Sequence, residues 1–403
     1  MGSRTRNATA TVTRWSRAFV GVGIGFFVAW QLAVATGLPR AATVPLGVFG
    51  FVLHVVFGKA YTLIPSYFAR ELAVPRAPAI HLPFALVGTI GAFAAGIGIG
   101  PPTVAVVGAA SWFVGCLVFV IALGVTVRDN PTGRETGTGA TETHRKRVDR
   151  LANAAVPVVF AYLLVGSALP LAAEFGIETP VSAIGPATTH LVAAGTAALL
   201  VFAIGFRLLP RLLVASTSPT LAGIVLGTGI VGPALLAVGF REGPVFHIGA
   251  GLQSVALVGF AVGYADLYRR SERRRVGGRA VLAGACYGIL VAVLGLAFAI
   301  LSATSVPATA FDAHYRLAIG GFVGLTIVGV TFHFYPPAVA STPGIGTRTA
   351  SASVAALVGG LGLEVVGLLA PASTLVGFGR WLAVVGAVLY AAVLYSIFVE
   401  RSR

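Results

Sequence analysis

The chain is poor in charge, in acid and in sulfur. Charged residues make up 10% of its 403 positions, where a soluble domain carries roughly 25%. With 57% hydrophobic residues and a mean hydropathy of +0.91, that deficit excludes an ordinary soluble chain. There are two cysteines, Cys116 and Cys286, far apart in the sequence. They exclude a disulfide framework, a C-x-x-C redox pair and C-x-x-C-H haem attachment. Thirteen acidic residues oppose 28 basic ones, for a net charge of +15. A nucleic-acid partner would suit that charge, but its placement along the chain argues for a bilayer instead.

Glycine is abundant, with 52 residues, as is common in membrane helices. A spanning helix needs about 20 apolar residues, and twelve such runs account for most of the length. The expectation is an all-α polytopic membrane protein whose main partner is the lipid bilayer. The first six helices are expected at Ala18–Thr36, Val44–Ile64, Ile80–Ile99, Val104–Val127, Leu151–Ala173 and Ala187–Leu209. The second six are expected at Leu221–Phe240, Val245–Tyr268, Ala280–Leu301, Ala313–Tyr335, Ala350–Leu369 and Phe378–Val399. The first run is longer than a signal-peptide core of about 7–15 residues, so it counts as a helix.

With the N-terminus inside, only Arg40, Arg241, Arg316 and Arg380 fall outside and Lys59 falls within a span. The remaining 23 of the 28 basic residues lie on the inner side, as the positive-inside rule requires. That places both termini in the cytoplasm and the chain in the plasma (cell) membrane. The runs Arg145–Arg147 and Arg273–Arg275 then read as topology signals, with anionic-lipid contact as a weaker role.

The linkers 128–150 and 269–279 divide a single membrane domain into four-helix groups at about 18–127, 151–268 and 280–399. The first linker, rich in Gly, Thr and Arg, is expected to be flexible. The groups show repetition. Gly50-Phe51-Val52 followed by Gly58 and Pro65 matches Gly321-Phe322-Val323 followed by Gly329 and Pro336 at identical spacing. In the middle group, His190 precedes Gly205 by the interval that separates His314 from Gly329, which aligns the two histidines. Pro210 then falls two residues early, and the match needs a gap.

Ionisable groups inside a bilayer are costly and point to function. His190, His247 and His314 lie near the outer ends of helices six, eight and ten. His54 is near mid-membrane, and His333 near the inner end of helix ten, among aromatic neighbours. His81 is expected at the inner interface and His144 in solvent. Neutral imidazole ligates haem iron and other metals well, and it equally makes hydrogen bonds at a helix end. His314 and His333 are about 28 Å apart along their helix and cannot share a site. Glu364 and Lys59 lack partners on their own helices. Glu364 suits a proton relay or a bond across a helix interface, and Lys59 can snorkel. Arg316 suits either a haem propionate or the outer interface.

Twelve helices in three four-helix arcs, with histidines in helices two, six and ten, resemble haem–copper oxidase subunit I and its NnrS-type relatives. The stretch that carries most of this runs from His314-Tyr315-Arg316 through Gly320-Gly321-Phe322-Val323, Gly329 and His333 to Pro336. Gly50–His54 with Gly58 and Pro65 looks like a second copy. The chain departs from the oxidases in several places. Helix seven has no histidine, and Arg316 rather than histidine follows Tyr315. Ala194 stands where the oxidases have a tyrosine four residues after the helix-six histidine, and Thr43 where an outer histidine is expected on helix two.

The resemblance therefore implies a membrane haem-binding protein without the oxygen-reducing centre, acting in redox or nitric-oxide-related physiology, with or without other membrane subunits. It implies haem b or copper, not covalently attached, with His314 as axial ligand and His190 as metal or second haem ligand. His247 and Arg316 are further cofactor-binding candidates, and His54 and His333 further metal candidates. Two other readings fit the same residues. One is a proton-coupled transporter using Glu364, Lys59 and His54, in which the repeat would be expected every six helices. The other is a member of the fold that binds no cofactor.

Overall fold

The computed structural model describes residues 2–301, 305–340 and 342–401. Twelve helices are long and apolar enough to cross a membrane. They are α1 (Thr9–Ala35), α2 (Arg40–Tyr67), α3 (Ala77–Gly96), α4 (Thr103–Val127), α5 (Ala140–Glu174) and α6 (Pro186–Leu212). They continue as α7 (Pro219–Val238), α8 (Gly243–Arg270), α9 (Val276–Ile300), α10 (Ala308–Phe334), α11 (Thr347–Leu369) and α12 (Ser373–Glu400). No strand occurs among the described residues. The protein is an all-α polytopic membrane protein. Most spans outrun the expected ranges because polar first and last turns continue the helix beyond its apolar part. Local signals set their starts: proline occupies the first turn of α3, α6, α7 and α8, where its missing N–H costs no helical bond. Ser218 caps α7 by accepting from the Leu221 N–H.

Three helices form the centre. In the most apolar stretches of α2, α6 and α10, 78%, 78% and 72% of residues are buried, against 28–56% in the other nine. Those nine close a ring in the order α1, α3, α4, α5, α7, α8, α9, α11, α12 and back to α1. The first helix starts and the last helix ends at one end of the bundle, where the Arg17 guanidinium reaches the Arg401 carbonyl. This is the basic end, and its opposite is the far end.

Each central helix contains one π-helical stretch: Leu46–Leu53, Leu191–Ala198 and Leu317–Gly324. Such insertions are rare in helices, so three at matching places fix the repeat register. Superposing them brings Gly50, Gly195 and Gly321 into line, and also Pro65, Pro210 and Pro336, with no gap. The period is four helices. This corrects the alignment expected for the middle group, because His190 is equivalent to Arg316 and Pro45, while His314 is equivalent to Thr188 and Thr43.

The three glycines do the same work in each copy. A Cβ on Gly50 would strike the Phe26 ring at 2.7 Å, one on Gly195 the Tyr162 ring at 2.5 Å, and one on Gly321 Tyr287 at 2.8 Å. In every case an aromatic of the group's first helix lies against the glycine. Each arc is also filled by an edge-to-face pair between its central and fourth helices. These pairs are Tyr61–Phe119 at 5.2 Å, Phe206–Phe260 at 5.8 Å and Phe332–Tyr390 at 5.4 Å. Tyr61, Phe206 and Phe332 are repeat equivalents, so the aromatic filling follows the same three-fold order. Helix hairpins within the arcs close on small residues, as where Gly91 meets Gly108 in α3–α4 and Gly360 meets Gly379 in α11–α12.

The 128–150 linker is folded, not free. Asn130 is buried; it donates to the Phe68 and Glu135 carbonyls and accepts from the Glu135 N–H. Gly137 N–H donates to the Tyr67 carbonyl, and a Cβ there would strike the Ser66 carbonyl. Arg70 pairs with both Asp129 and Glu135, and the guanidinium holds the Asp129 carboxyl below its ordinary range. The expectation of flexibility came from composition, whereas the backbone bonds to the end of α2 decide the outcome.

Candidate metal centre

At the far end, α6 and α10 bring His190 and His314 together. Their ring centroids are 6.4 Å apart and their planes differ by 27°. Phe240 stands against His190 at 5.6 Å, and Phe298 against His314 at 5.4 Å. His190 Nδ1 lies 2.7 Å from the Pro186 carbonyl. A carbonyl only accepts, so Nδ1 carries the hydrogen and the Nε2 lone pair is left for a ligand, the usual arrangement of a metal-binding imidazole. His314 Nδ1 is buried with no hydrogen-bond partner.

A metal lies about 2.0–2.1 Å from a ligating imidazole nitrogen, hence about 3.2 Å from the ring centre, so opposed imidazoles stand about 6.4 Å apart. The centroid spacing of the pair equals that distance. No group of three or more His, Cys, Asp or Glu side chains suited to a metal occurs among the described residues. Two protein ligands suffice for a haem iron, because the porphyrin supplies the other four. A bare ion draws three or four from the protein.

The other expected residues lie elsewhere. His247 bonds Gly243 through Nδ1 on an exposed face of α8 and has no contact with the pair. Arg316 is two residues from His314, which turns it about 200° around the helix, toward α1 and α11. There its Nε donates to Glu364 Oε2 at 2.8 Å and its Nη2 to Gln31 at 2.8 Å. Arg380 Nε takes the other Glu364 oxygen at 2.9 Å. The Arg316 guanidinium also lies over the Trp30 ring, and the Trp30 indole donates to the Tyr315 hydroxyl at 2.6 Å. Arg316 is thus committed to a buried ion cluster away from the histidine pair.

His54 Nδ1 donates to the Phe49 carbonyl, five residues back in the π stretch, at 2.8 Å. Its Nε2 is buried and without a partner. His81 is wholly buried, not interfacial: it bonds the Tyr61 hydroxyl at 3.1 Å and packs on Phe57 at 4.6 Å. The Phe19 ring touches both His54 and His81. His333 sits at the basic end of α10 against Gly277 of α9. Lys59 donates to the Tyr335 hydroxyl at 2.8 Å.

Sequence reasoning missed a second ion cluster at the basic end. Asp149 is buried, paired with Arg211 at 2.7 Å and bonded to Thr138. Arg207 is 2% exposed, donates to Asn153 at 2.6 Å and lies over the Tyr67 ring at 4.2 Å. The signal was available: Arg207 falls inside a span, and counting it with the loops concealed it.

No family model matches the chain, and no curated protein matches it.

Proposed function

We propose that the protein is an integral membrane haem-binding protein whose iron is held between His190 and His314. It would act in redox or nitric-oxide-related chemistry, in the plasma membrane, with the basic end in the cytoplasm. The observation that carries this reading is the convergence of two imidazoles from different helices at the spacing of one metal atom, one of them with its tautomer set by a backbone carbonyl. The likeness to the haem–copper oxidase and NnrS-type architecture supports it, as does the four-helix period. A bound haem would supply one-electron or gas-binding chemistry. His190 and His314 would hold the group, and Phe240 and Phe298, whose rings lie against theirs, would keep water from it. Copper remains the competing occupant of the same pair.

The experiment is a titration of the purified protein in detergent with haemin and, separately, with Cu(I). One equivalent of haemin producing a sharpened Soret band supports the reading. Copper binding at one equivalent without any haem spectrum replaces haem by copper, and retention of neither overturns the site. The transporter alternative loses ground on two counts. The period is four helices rather than six, and two guanidiniums already occupy both Glu364 oxygens.

A further inference from the structure

A second feature, independent of the histidine pair, lies on the pseudo-three-fold axis. Between α2, α6 and α10, toward the basic end, the central helices part and leave about 690 Å³ of unfilled space, open mouth included. Its walls follow the repeat register layer by layer. The deepest layer is Val55, Leu200 and Thr326; the middle layer is Lys59, Ile204 and Val330; the mouth is Leu63, Leu208 and Phe334. Above the deepest layer the three π stretches touch one another and close the axis. From mouth to floor is eight residues of helix, or about 12 Å.

Three-fold order makes the exception informative. At the middle layer two copies carry aliphatic side chains, and the third carries Lys59, one of only two lysines in a chain with 28 basic residues. The side chain runs toward the mouth, where Nζ meets the Tyr335 hydroxyl and lies over the Phe334 and Tyr335 rings at 4.4 and 4.3 Å. Arg401 lies over the same Tyr335 ring at 5.2 Å, and Arg17 bonds the Arg401 carbonyl. Lys59 and Arg401 thus share the Tyr335 ring, with Arg17 bonded to Arg401, and of the three Lys59 lines the apolar channel. Among the described residues Lys59 forms no ion pair. Even half-buried, an ammonium among aromatic rings lacks a counter-charge here, and an anion at the mouth would supply one.

We propose that this axial cleft binds one anionic single-chain amphiphile. Its carboxylate or phosphate head lies on Lys59, beside the Tyr335 ring that Arg401 also covers, and its chain runs between α2, α6 and α10 to the π stretches. Charge complementarity selects the head. The single cleft between three helices, open at the basic end, selects one chain rather than two.

The test is native mass spectrometry of the delipidated full-length protein, titrated with decanoate, decyl phosphate, decanol or dioleoyl phosphatidylglycerol, the ten-carbon chain matching the depth of the channel. One equivalent of decanoate and of decyl phosphate is expected to bind, with decanol at least about tenfold weaker. Lys59→Met should weaken the two anions about tenfold and leave decanol unchanged, while Lys59→Arg restores them. Ile204→Trp, which keeps the lysine and fills the channel, should abolish binding of all three. Thermal unfolding of each variant confirms that it is folded. Decanol binding as tightly as decanoate, or decanoate unaffected by both Lys59→Met and Ile204→Trp, overturns the proposal. Preferential binding of the two-chain lipid also overturns it, since that places the site on the outer surface.

Discussion

Glu364→Gln probes the most heavily charged contact inside the bundle. The carboxylate is fully buried, Arg316 is 3% exposed and Arg380 is 24% exposed. With Glu364 the cluster carries one uncompensated positive charge, and without it two. Breaking a buried pair by removing one partner costs about 3–5 kcal/mol, because the remaining charge is left uncompensated. Arg380 has partial access to water, and glutamine still accepts one hydrogen bond, so the lower bound of about 3 kcal/mol is expected. That is a factor on the order of 100 in the folding equilibrium. The assay is reversible unfolding in mixed detergent–SDS micelles followed by far-UV circular dichroism. Removing both partners in Arg316→Met/Glu364→Leu should cost less than the sum of the single changes, by about 1–3 kcal/mol. A Glu364→Gln protein within about 0.5 kcal/mol of wild type, or strictly additive single changes, would refute the cluster as a stabilising unit.

Other consequences can be measured in the same system. Gly195→Ala places a methyl 2.5 Å from the Tyr162 ring and should cost about 1–3 kcal/mol through overpacking, whereas Gly251→Ala, with nothing within 4 Å, should be neutral. Tyr162→Phe removes the bond to the Ile230 carbonyl and the acceptor of the Ala234 N–H; equilibrium unfolding should show a loss of about 1–2 kcal/mol. Asn130→Ala should free the folded linker, read as faster tryptic cleavage at Arg134 while the spans stay protected. Acid should act in the same direction. Asp129 is depressed below its ordinary 3.8 by Arg70, so its contribution is complete above that pH and fades as pH falls below it. Tryptic-type cleavage by an acid-tolerant protease should therefore rise below pH 3.8 in wild type and change little with pH in Arg70→Ala.

Hydropathy made the helices legible, because a bilayer demands a long apolar run whatever its neighbours. The first and third copies of the repeat were legible too, since Gly50 and Pro65 answer Gly321 and Pro336 at equal spacing. The middle copy was misregistered by two residues. Histidine identity was used to align His190 with His314, and a π insertion has no compositional mark to contradict it. The meeting of those two histidines survives the correction: they come from different repeat positions but neighbouring helices. The partners of Glu364 were hidden for a different reason. Gln31, Arg316 and Arg380 sit on three other helices, and pairing between helices leaves no trace in local sequence. His81 read as interfacial because it opens its helix, yet Phe57, Phe119 and Tyr61 enclose it. The linker read as flexible from its composition, while Asn130 and the glycines at 133 and 137 make the close backbone approaches that fold it.

The most direct test of the haem assignment is a reduced-minus-oxidised visible spectrum of protein purified from haem-replete cells. Wild type should be recorded beside His190→Ala, His314→Ala, His54→Ala and His247→Ala. The assignment predicts a haem b spectrum in wild type that is lost or shifted in His190→Ala and His314→Ala and unchanged in the other two. A colourless wild type that stays colourless after haemin is added would contradict it, as would a spectrum that follows His54 or His247.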